Sequence, residues 1–363
     1  MDAPFARALL ARTPQLDARA LHALLAAGGG DVRAALTPAA RRGLELPEAA
    51  ARWLAAPDRG AVEADLAWLA QSSTQLLLAH DPQYPPALTA LTDAPAALYV
   101  QGELATLTAA QLALTGTRHP SPQGVRSARD FAASFARAGL VLTSSLSEGI
   151  EAEATQAALT AGGRVLGVSG VALDVLPRVP GGTLPARIVA TGALLSELPP
   201  RTVPARAHFA ARLRLVSALA RGTLVIEAAR RGAPMTLARH ALEQGRAVLA
   251  VPGSIHDPRS RGPHQLLREG ATLVEGVGDV WAELGNSFPA PALSAAPAAV
   301  AAAPALDNEY EMLLDAVGFE PATVGILAAR TQLPSESVAS MLLILELQGR
   351  VAALPGGRYG RTP

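Results

Sequence analysis

Short apolar runs alternate with helical stretches between residues 111 and 285. The runs end in Gly, Ser or Thr, and they lack the apolar–polar alternation of a half-exposed strand. Unalternating strands of this kind are typical of a parallel sheet that is buried on both faces. We therefore predict an α/β domain of the Rossmann-like class, with a doubly wound, mostly parallel sheet. The predicted strands are 112–115, 140–143, 164–168, 193–196, 223–226, 247–250 and 272–274, and the predicted helices are 124–138, 148–161, 208–220, 236–244 and 263–268.

The segments that flank this region have other patterns. Residues 20–27, 47–56 and 62–70 have helical apolar spacing, which predicts a small helical domain over residues 1–75. The following segment, up to residue 105, is rich in proline, which favours an extended lead-in over a helix. This lead-in opens the sheet domain, which we expect to cover residues 76–285.

The last part of the chain predicts a linker and a second small domain. Residues 286–306 are mostly Ala and Pro, as in a disordered linker. In residues 307–363, helices at 309–317, 323–330 and 334–348 precede a hairpin, the order of a winged helix. Its third helix carries Glu336 and Glu346 and no Arg, whereas a helix that reads duplex DNA needs basic or amide side chains. We expect protein interaction or autoregulation here instead of sequence reading.

The charges are segregated along the chain. The net charge is zero over 363 residues, and all 31 basic residues are Arg because the sequence has no Lys. Nine arginines and only two acids lie between Arg201 and Arg246, which indicates an anionic partner for that region. The chain has no Cys, no N-terminal signal sequence and no run of 18 apolar residues. We expect a cytoplasmic protein without a membrane segment.

Several common catalytic sites are missing from the sequence. Without Lys there is no phosphate-binding P-loop and no Schiff-base chemistry, and without Cys there is no thiolate nucleophile. The chain has no HExxH motif, no GxGxxG after a strand and no GxSxG nucleophile elbow. We therefore expect a protein that is not an enzyme and that needs neither a cofactor nor a metal.

Two turns after predicted strands are candidate anion sites. Gly116, Thr117 and Arg118 follow the first strand, where Gly permits close approach, Thr offers a hydroxyl and an N–H, and Arg offers a charged fork for phosphate. A tight turn with an exposed Arg would have the same sequence. Ser144 opens a Ser-rich turn before the next helix, where its hydroxyl either caps that helix or lines an anion site.

The segment 201–236 offers an aromatic side chain among arginines. Phe209 and Arg212 share one helix face, as in a site that stacks a base and clamps a phosphate. A core Phe beside a solvated Arg is the alternative, and the local positive charge favours the binding site. Arg214 lies on another face and either binds DNA or pairs with an acid. The remaining candidates are Arg201, Arg230 and Thr236. We expect a structural turn with an internal ion pair at Asp257 and Arg259.

Taken together, these segments resemble the DprA/Smf family (DNA-processing protein A) over nearly the whole chain. The longest matching blocks are 241–246, 250–254, 257–262 and 267–271, and shorter ones are Tyr84-Pro85-Pro86, Gly116-Thr117-Arg118, Gly149-Ile150 and Leu195-Ser196-Glu197. The N-terminal helices resemble the family's sterile-alpha-motif-like or helix-hairpin-helix module. Three motifs depart from the family: Ser-Gly-x-Ala-x-Gly-Ile-Asp reads SSLSEGIE at 144–151, Phe-Pro-x-Arg-Asn-Arg reads FAARLR at 209–214, and Ser-Gly-Ser-Leu-Ile-Thr reads RGAPMT at 231–236.

The resemblance implies a function. It implies a homodimer that binds single-stranded DNA in a Rossmann-like pocket, displaces or coexists with single-strand-binding protein, and loads RecA during natural transformation and recombination. The alternatives are a LOG-type nucleoside-monophosphate phosphoribohydrolase and a winged-helix transcription regulator. The first requires a PGGxGTxxE motif, and here Pro180-Gly181-Gly182-Thr183 stands far from Gly222-Thr223 while Glu227 is one residue too late. The acidic third helix of the tail argues against the second.

Overall fold

A computed structural model of the protein describes residues 2–178, 183–285, 308–318 and 321–361. The chain divides into two compact units, one within residues 1–292 and one within 293–363. The predicted linker at 286–306 lies outside the described residues. Among the described helices, none has the length and apolar character needed to cross a bilayer. Within the same ranges, no cluster of three or more His, Cys, Asp or Glu is arranged to hold a metal ion.

Five helices form the N-terminal part of the larger unit. They are α1 (Ala3–Arg12), α2 (Ala18–Ala27), α3 (Pro38–Arg41), α4 (Glu48–Ala55) and α5 (Arg59–Gln71). Asp2, Asp17 and Asp58 precede α1, α2 and α5, and each carboxylate accepts a backbone N–H from the first turn. The prediction located α2, α4 and α5 and missed α1 and the short α3. The helices pack on the sheet in one shared core, which contains Leu10 and Leu98.

A nine-stranded sheet organises the larger unit. Its strands are β1 (Thr74–Leu78), β2 (Ala97–Gly102), β3 (Gln111–Thr115), β4 (Val141–Ser144), β5 (Val165–Val168), β6 (Ala193–Ser196), β7 (Gly222–Val225), β8 (Ala247–Ala250) and β9 (Thr272–Leu273). The strand order is β1-β2-β6-β5-β4-β3-β7-β8-β9. All neighbours from β6 to β9 run parallel, whereas β1–β2 and β2–β6 are antiparallel. The mostly parallel, doubly wound sheet is confirmed, and all seven predicted strands are present.

The prediction of an extended lead-in before the sheet was wrong in one respect. This segment contributes two strands, β1 and β2, which pair with each other. Strand β1 ends before Pro82, and β2 begins after Pro95. The prolines therefore occupy the connection, where they remove no hydrogen bond from the ladder. This connection also holds a short helix, α6 (Pro86–Thr89), and a buried Tyr84, whose hydroxyl donates to the Pro95 carbonyl at 2.7 Å.

Helices cover both faces of the sheet. They are α7 (Pro122–Arg137), α8 (Ile150–Thr160), α9 (Leu184–Thr191), α10 (Arg206–Leu219), α11 (Ala233–Glu243), α12 (Arg261–Arg268) and α13 (Val277–Leu284). The helices α9 and α13 were not predicted. An aromatic cluster anchors α7 on its side of the sheet: the Phe135 ring centroid lies 5.9 Å from that of Phe131 and 6.2 Å from that of Trp281 on α13.

The smaller unit is a winged helix, as predicted. It comprises α14 (Asn308–Val317), β10 (Ala322–Thr323), α15 (Val324–Thr331), α16 (Ser335–Leu347), β11 (Val351–Leu354) and β12 (Arg358–Arg361). The hairpin β11–β12 forms the wing, and the unpredicted strand β10 pairs with β12 to give a three-stranded sheet. A separate core, with Leu313, Leu327, Leu342 and Leu345 at its centre, holds the unit together.

We predict stability losses of very different size when two phenylalanines are replaced by alanine. Phe135 is 1 % exposed, whereas Phe209 on α10 is 42 % exposed. Phe135→Ala should lower the free energy of unfolding by about 3–5 kcal/mol because it opens a cavity beside Trp281. Phe209→Ala should cost no more than about 1 kcal/mol, the order of an exposed cation–π contact. Urea unfolding followed by circular dichroism measures both, and equal losses would contradict this assignment of core and surface.

Candidate nucleic-acid interface

The strand order reverses between β3 and β7. The chain runs outward from β3 through β4, β5 and β6, and then returns to place β7 on the other side of β3. In open α/β sheets, ligands bind beyond the carboxyl ends of the strands at such a reversal. Gly116-Thr117-Arg118 follows β3 directly, and Ile226-Glu227 follows β7. The first predicted motif therefore lies at the position where the topology favours a ligand.

A close backbone approach joins the turn after β3 to the turn after β4. Gly149 precedes α8 with φ +73°, and a Cβ there would lie 2.4 Å from the Thr117 carbonyl oxygen and 2.6 Å from the Arg118 Cα. The Ile150 N–H donates to that same carbonyl at 3.1 Å. Only glycine fits this contact without displacing the backbone. The position of Arg118 is therefore fixed by the start of α8.

Within this motif, Arg118 has the only charged side chain. The Thr117 N–H, which the sequence suggested for a phosphate, donates to the Glu227 carbonyl at 2.6 Å. The Thr117 hydroxyl accepts from the His119 N–H at 3.2 Å. Gly116 is buried against Ile150. The Arg118 side chain is exposed and has no hydrogen bond or ion pair with any described residue. Its guanidinium is available to an anion.

The Ser-rich turn after β4 is organised by a buried carboxylate, that of Glu151. This carboxylate accepts from the hydroxyls of Thr115, Ser144 and Ser145 and from the Ser145 N–H, at 2.8–3.1 Å. The suggested helix cap was wrong, because α8 begins at Ile150 with Gly149 as its N-cap and no side-chain cap. Ser144 is 1 % exposed, so its hydroxyl faces Glu151 and not the surface.

Phe209 and Arg212 lie together on α10, as the helical spacing predicted. The Arg212 guanidinium carbon is 5.1 Å from the Phe209 ring centroid. Beneath the ring, Arg212 is 7 % exposed, and its Nε donates to the Ser145 carbonyl at 2.8 Å while Nη1 donates to the Phe209 carbonyl at 2.6 Å. Burial lowers the pKa of Arg212, and the charge of Glu151 partly opposes this shift. Arg212 thus supports the exposed ring and links it to the Ser145 turn.

The contact between Phe209 and the sheet also depends on a glycine. A Cβ on Gly170, which follows β5, would lie 3.0 Å from both the Phe209 Cδ1 and the Arg212 Nη1. A side chain at this position would push the ring and the guanidinium away from the strand end. No local signal selects Gly170, because its neighbours on α10 are almost forty residues away along the chain.

Two further candidates, Arg201 and Arg214, pair with acids. Arg214 donates to Glu197 at 2.7 and 2.9 Å and to Asp93 at 2.7 Å. Burial by itself would lower the pKa of Arg214, but the hydrogen bonds and charges of Glu197 and Asp93 raise it. Arg201 donates to Asp65 on α5 at 2.5 Å. Both arginines therefore join separate segments of the fold, and the suggested acid partner of Arg214 is confirmed.

The loop after β7 forms an exposed basic rim. Arg230 and Arg231 are exposed, as is Arg206 at the start of α10, and none of the three forms an ion pair within the described ranges. Thr236 does not cap α11, because that helix begins at Ala233 and the Thr236 hydroxyl donates back to the Gly232 carbonyl at 3.2 Å. The rim is consistent with the excess of arginine in the sequence.

The loop after β8 contains the predicted structural turn. The Asp257 carboxylate accepts from the Arg259 N–H at 2.8 Å and from the Arg259 guanidinium at 2.8–3.1 Å. The hydrogen bond from the Arg259 side chain lowers the pKa of Asp257. The internal ion pair is confirmed.

Two acids that matter here, Glu151 and Glu227, were not selected as site residues from the sequence. Glu227 accepts from the Ser121 N–H at 2.9 Å and from the Ser121 hydroxyl, and thereby fixes the start of α7. A signal for Glu151 was available, since it stands where the family motif Gly-Ile-Asp has its acid. No comparable signal marks Ser121 as the partner of Glu227, because the two lie more than a hundred residues apart.

Comparisons with known proteins agree with this architecture. Residues 75–285 match the model of DNA recombination-mediator protein A, and residues 296–357 match the DprA winged helix domain. The chain belongs to the DprA/Smf family. It is 40% identical to protein Smf of Escherichia coli over 87% of this chain and 84% of that protein. It is 38% identical to the DNA processing protein DprA of Streptococcus pneumoniae over 56% and 72% of the two chains.

Solved structures of this family have the same fold. The X-ray structure of DprA from S. pneumoniae aligns with a TM-score of 0.64 and 29% identity, over 79% of this chain and 99% of that one. DprA from Helicobacter pylori, a protein described as having a unique single-stranded DNA binding mode, aligns with a TM-score of 0.54 and 25% identity, over 60% and 98%. The resemblance drawn from the sequence motifs is confirmed.

The hydrolase alternative finds no support at Glu227. A catalytic carboxylate must reach a substrate, whereas the Glu227 carboxylate is engaged with Ser121. Pro180, Gly181 and Gly182 of the compared motif lie outside the described residues.

We predict that a side chain at Gly149 disrupts this interface, whereas one at Gly162 does not. Both glycines have positive φ, +73° and +79°, but nothing lies within 4 Å of a Cβ at Gly162. Gly162→Ala should cost about 1–2 kcal/mol of folding free energy from its backbone conformation alone. Gly149→Ala should cost at least ~1 kcal/mol more, because the methyl also strikes the Thr117 carbonyl. Chemical denaturation compares the two, and equal losses would disprove the close-contact argument.

Proposed function

We propose that this protein binds single-stranded DNA at the carboxyl edge of its sheet. The observation that carries the proposal is that two exposed side chains are held by the 144–149 turn. One is Phe209, whose ring is supported by Arg212, and the other is Arg118, which has no ion-pair partner among the described residues. Arg212 under Phe209 contacts this turn at Ser145, and Arg118 contacts it at Gly149. An aromatic platform beside a free cation is the arrangement that binds the base and the backbone of a single strand.

The arginines and Phe209 each receive a role that matches the environment of the side chain. We assign Arg118 to a backbone phosphate and Phe209 to a stacked base, with Arg206, Arg230 and Arg231 as a basic rim that follows the strand. Arg212 is assigned to hold the Phe209 ring, because three of its nitrogens already donate to protein acceptors. Arg201 and Arg214 are assigned to fold stability, because their guanidinium groups are engaged by Asp65, Glu197 and Asp93.

An exposed aromatic ring favours single-stranded over duplex DNA. Bases in a duplex are already stacked and paired, so their faces are not accessible to Phe209 without the cost of unstacking. The third helix of the winged helix does not have the chemistry of a helix that reads duplex DNA, since it carries Glu336 and no basic residue. The DNA-binding mode described for the H. pylori relative supports the same substrate class here.

We further propose that the bound strand is delivered to RecA, as in a recombination mediator active in natural transformation. The description of the matching family model, a DNA recombination mediator, supports this role. In this proposal the protein acts in the cytoplasm as a homodimer, and single-strand-binding protein is the competitor that it displaces or tolerates.

We predict distinct defects for the two central residues in single-stranded DNA binding. Arg118→Ala should weaken binding to labelled oligo-dT and lower the slope of log affinity against log salt by about 0.7, because one phosphate contact is lost. Phe209→Ala should cost about 1–3 kcal/mol of binding free energy and leave that slope unchanged, because stacking releases no counterions. Fluorescence anisotropy across a salt series measures both quantities.

Arg221 provides the matched control. It comes from the same arginine-rich segment and is exposed, but it precedes β7 and so lies at the amino edge of the sheet, away from the proposed site. Arg221→Ala should leave affinity and slope close to those of the parent protein. If Arg118→Ala and Arg221→Ala behave alike, or if the parent protein prefers duplex DNA, the proposed site is refuted.

Delivery to RecA is tested separately. We expect the protein to accelerate RecA assembly on single-stranded DNA that is already coated with single-strand-binding protein, measured by RecA ATP hydrolysis. Arg118→Ala should abolish the acceleration if the same site delivers the strand. Tight DNA binding without any acceleration would contradict the RecA role and leave the DNA-binding proposal intact.

A further inference from the structure

A buried carboxylate on α5 connects the N-terminal helices to the loop that leads into α10. Asp65 is fully buried, and its carboxylate accepts hydrogen bonds from two arginines. Arg12 of α1 donates to it at 2.6 Å, and Arg201 of the loop between β6 and α10 donates to it at 2.5 Å. Because a buried charge is stable only when it is paired, this carboxylate holds the three segments together.

Backbone strain shows how firmly the loop is held. Arg201 has φ +61°, in the left-handed region that residues other than glycine seldom adopt. Such a conformation persists only where the surrounding contacts impose it. Here the N-terminal helices supply these contacts, since Arg201 also donates to the Ala61 carbonyl at 3.0 Å and Arg12 donates to the Pro200 carbonyl at 3.1 Å. The conformation of residue 201 therefore depends on α1 and α5.

The backbone of Arg201 also bonds to the loop after β5. Its N–H donates to the Asp174 carboxylate at 2.9 Å. The loop that contains Asp174 begins with the residues around Gly170, whose Cα lies close beneath Phe209. Residue 201 therefore links α5 to the segment on which the Phe209 ring lies.

The start of α10 has few attachments of its own. Residues 203–207 are all exposed, and the N-cap residue Ala205 makes no side-chain cap. The side chains of residues 203–208, all of which the structure describes, form no hydrogen bond or ion pair with another element. Before Phe209, the nearest side chain bonded to another element is therefore that of Arg201.

We propose that Asp65 and Arg201 are positioning residues for Phe209, so that the N-terminal helices contribute to single-strand binding without contacting the strand. The proposal rests on the assignment of Phe209 to a stacked base. Asp65 fixes residue 201, and residue 201 sets the direction in which the chain enters α10. The first turns of that helix then present a preorganised ring, which avoids the cost of ordering it when DNA binds.

Arg201→Gly in the full-length protein tests the proposal. Glycine adopts φ +61° without strain and Asp65 keeps its bond to Arg12, so we expect a folded protein, which circular dichroism verifies. The affinity for labelled oligo-dT should fall by about fivefold, the lower end of what one stacked base contributes. The slope of log affinity against log salt should stay that of the parent protein. A slope lower by about 0.7 would show that Arg201 binds a phosphate and would overturn the proposal, as would unchanged affinity.

Arg7→Ala is the matched control. Arg7 also joins the N-terminal helices to the sheet, through Asp81 at 2.9 Å and the Leu76 carbonyl at 3.1 Å, but these partners lie on and just after β1. The variant removes the same charge and a comparable ion pair, so its affinity should stay within about twofold of the parent protein. Equal losses in Arg7→Ala and Arg201→Gly would indicate general loosening of the N-terminal helices and would refute the positioning role.

Double variants assign the effect to Phe209. Arg201→Gly/Phe209→Ala should bind no more than about twofold weaker than Phe209→Ala alone, because the ring to be positioned is already gone. Arg201→Gly/Arg118→Ala should show the sum of the two single losses in binding free energy, since Arg118 is fixed separately through Gly149. Additive losses with Phe209→Ala would contradict the proposal.

Failure of this proposal can be distinguished from failure of the DNA-binding function. If the parent protein shows no preference for the single strand, the proposed function fails and the positioning role fails with it. If the parent protein prefers the single strand and Arg201→Gly binds equally well, only the positioning role is refuted.

Discussion

The buried carboxylate of Glu151 is the interaction on which the proposed DNA site depends. This carboxylate accepts hydrogen bonds from the hydroxyls of Thr115, Ser144 and Ser145 and from one backbone N–H, all below the surface. A buried charge is stable only when it is hydrogen-bonded and balanced, and here Arg212 supplies the nearby positive charge. The turn between β4 and α8 is therefore held from below. At one end of this turn, Gly149 contacts the backbone of Arg118. At the other end, Arg212 bonds to the Ser145 carbonyl and lies against the Phe209 ring.

This arrangement separates the arginines by role. Those with buried or engaged guanidinium groups, such as Arg212 and Arg214, join segments that are far apart in the sequence. Those at the ends of strands and in loops, such as Arg118 and Arg230, keep their charges free. The first group shapes the site, and we assign the second group to the phosphate backbone. The number of arginines in a basic segment is therefore larger than the number that we assign to contact DNA.

The winged helix shows a related division between the buried and exposed sides of one helix. The core side of α16 is fully apolar, as the fold requires, but its outer side is also apolar around Leu343. Groove-reading helices present basic and amide groups on that outer side. The chemistry of this outer side of α16 therefore suits contact with a protein and not with a DNA groove.

The sequence by itself determined the fold class, the order of the elements and the family. Unalternating apolar runs such as 193–196 and 247–250 are local patterns, and they locate strands because burial on both faces demands apolar residues throughout. Long motifs such as 257–262 identified the family because each of them is also a local pattern, contained in one continuous stretch of the chain. Local spacing also correctly joined Phe209 to Arg212, which are one helical turn apart. The same patterns missed β1 and β2, because the prolines in the connection between these strands made the whole segment resemble an extended lead-in.

Only the tertiary structure decided which side chains are free. Thr117 and Arg118 are adjacent in sequence, yet the N–H of one is taken by Glu227 and the guanidinium of the other is open. Ser144 looked like a helix cap, but its hydroxyl donates to Glu151 instead. Arg201 stands in a basic segment of the sequence, and folding pairs its guanidinium with Asp65, which comes from a helix more than a hundred residues away. Hydrogen bonds and ion pairs form between groups that folding brings together, so their partners depend on packing over the whole sheet and not on sequence spacing.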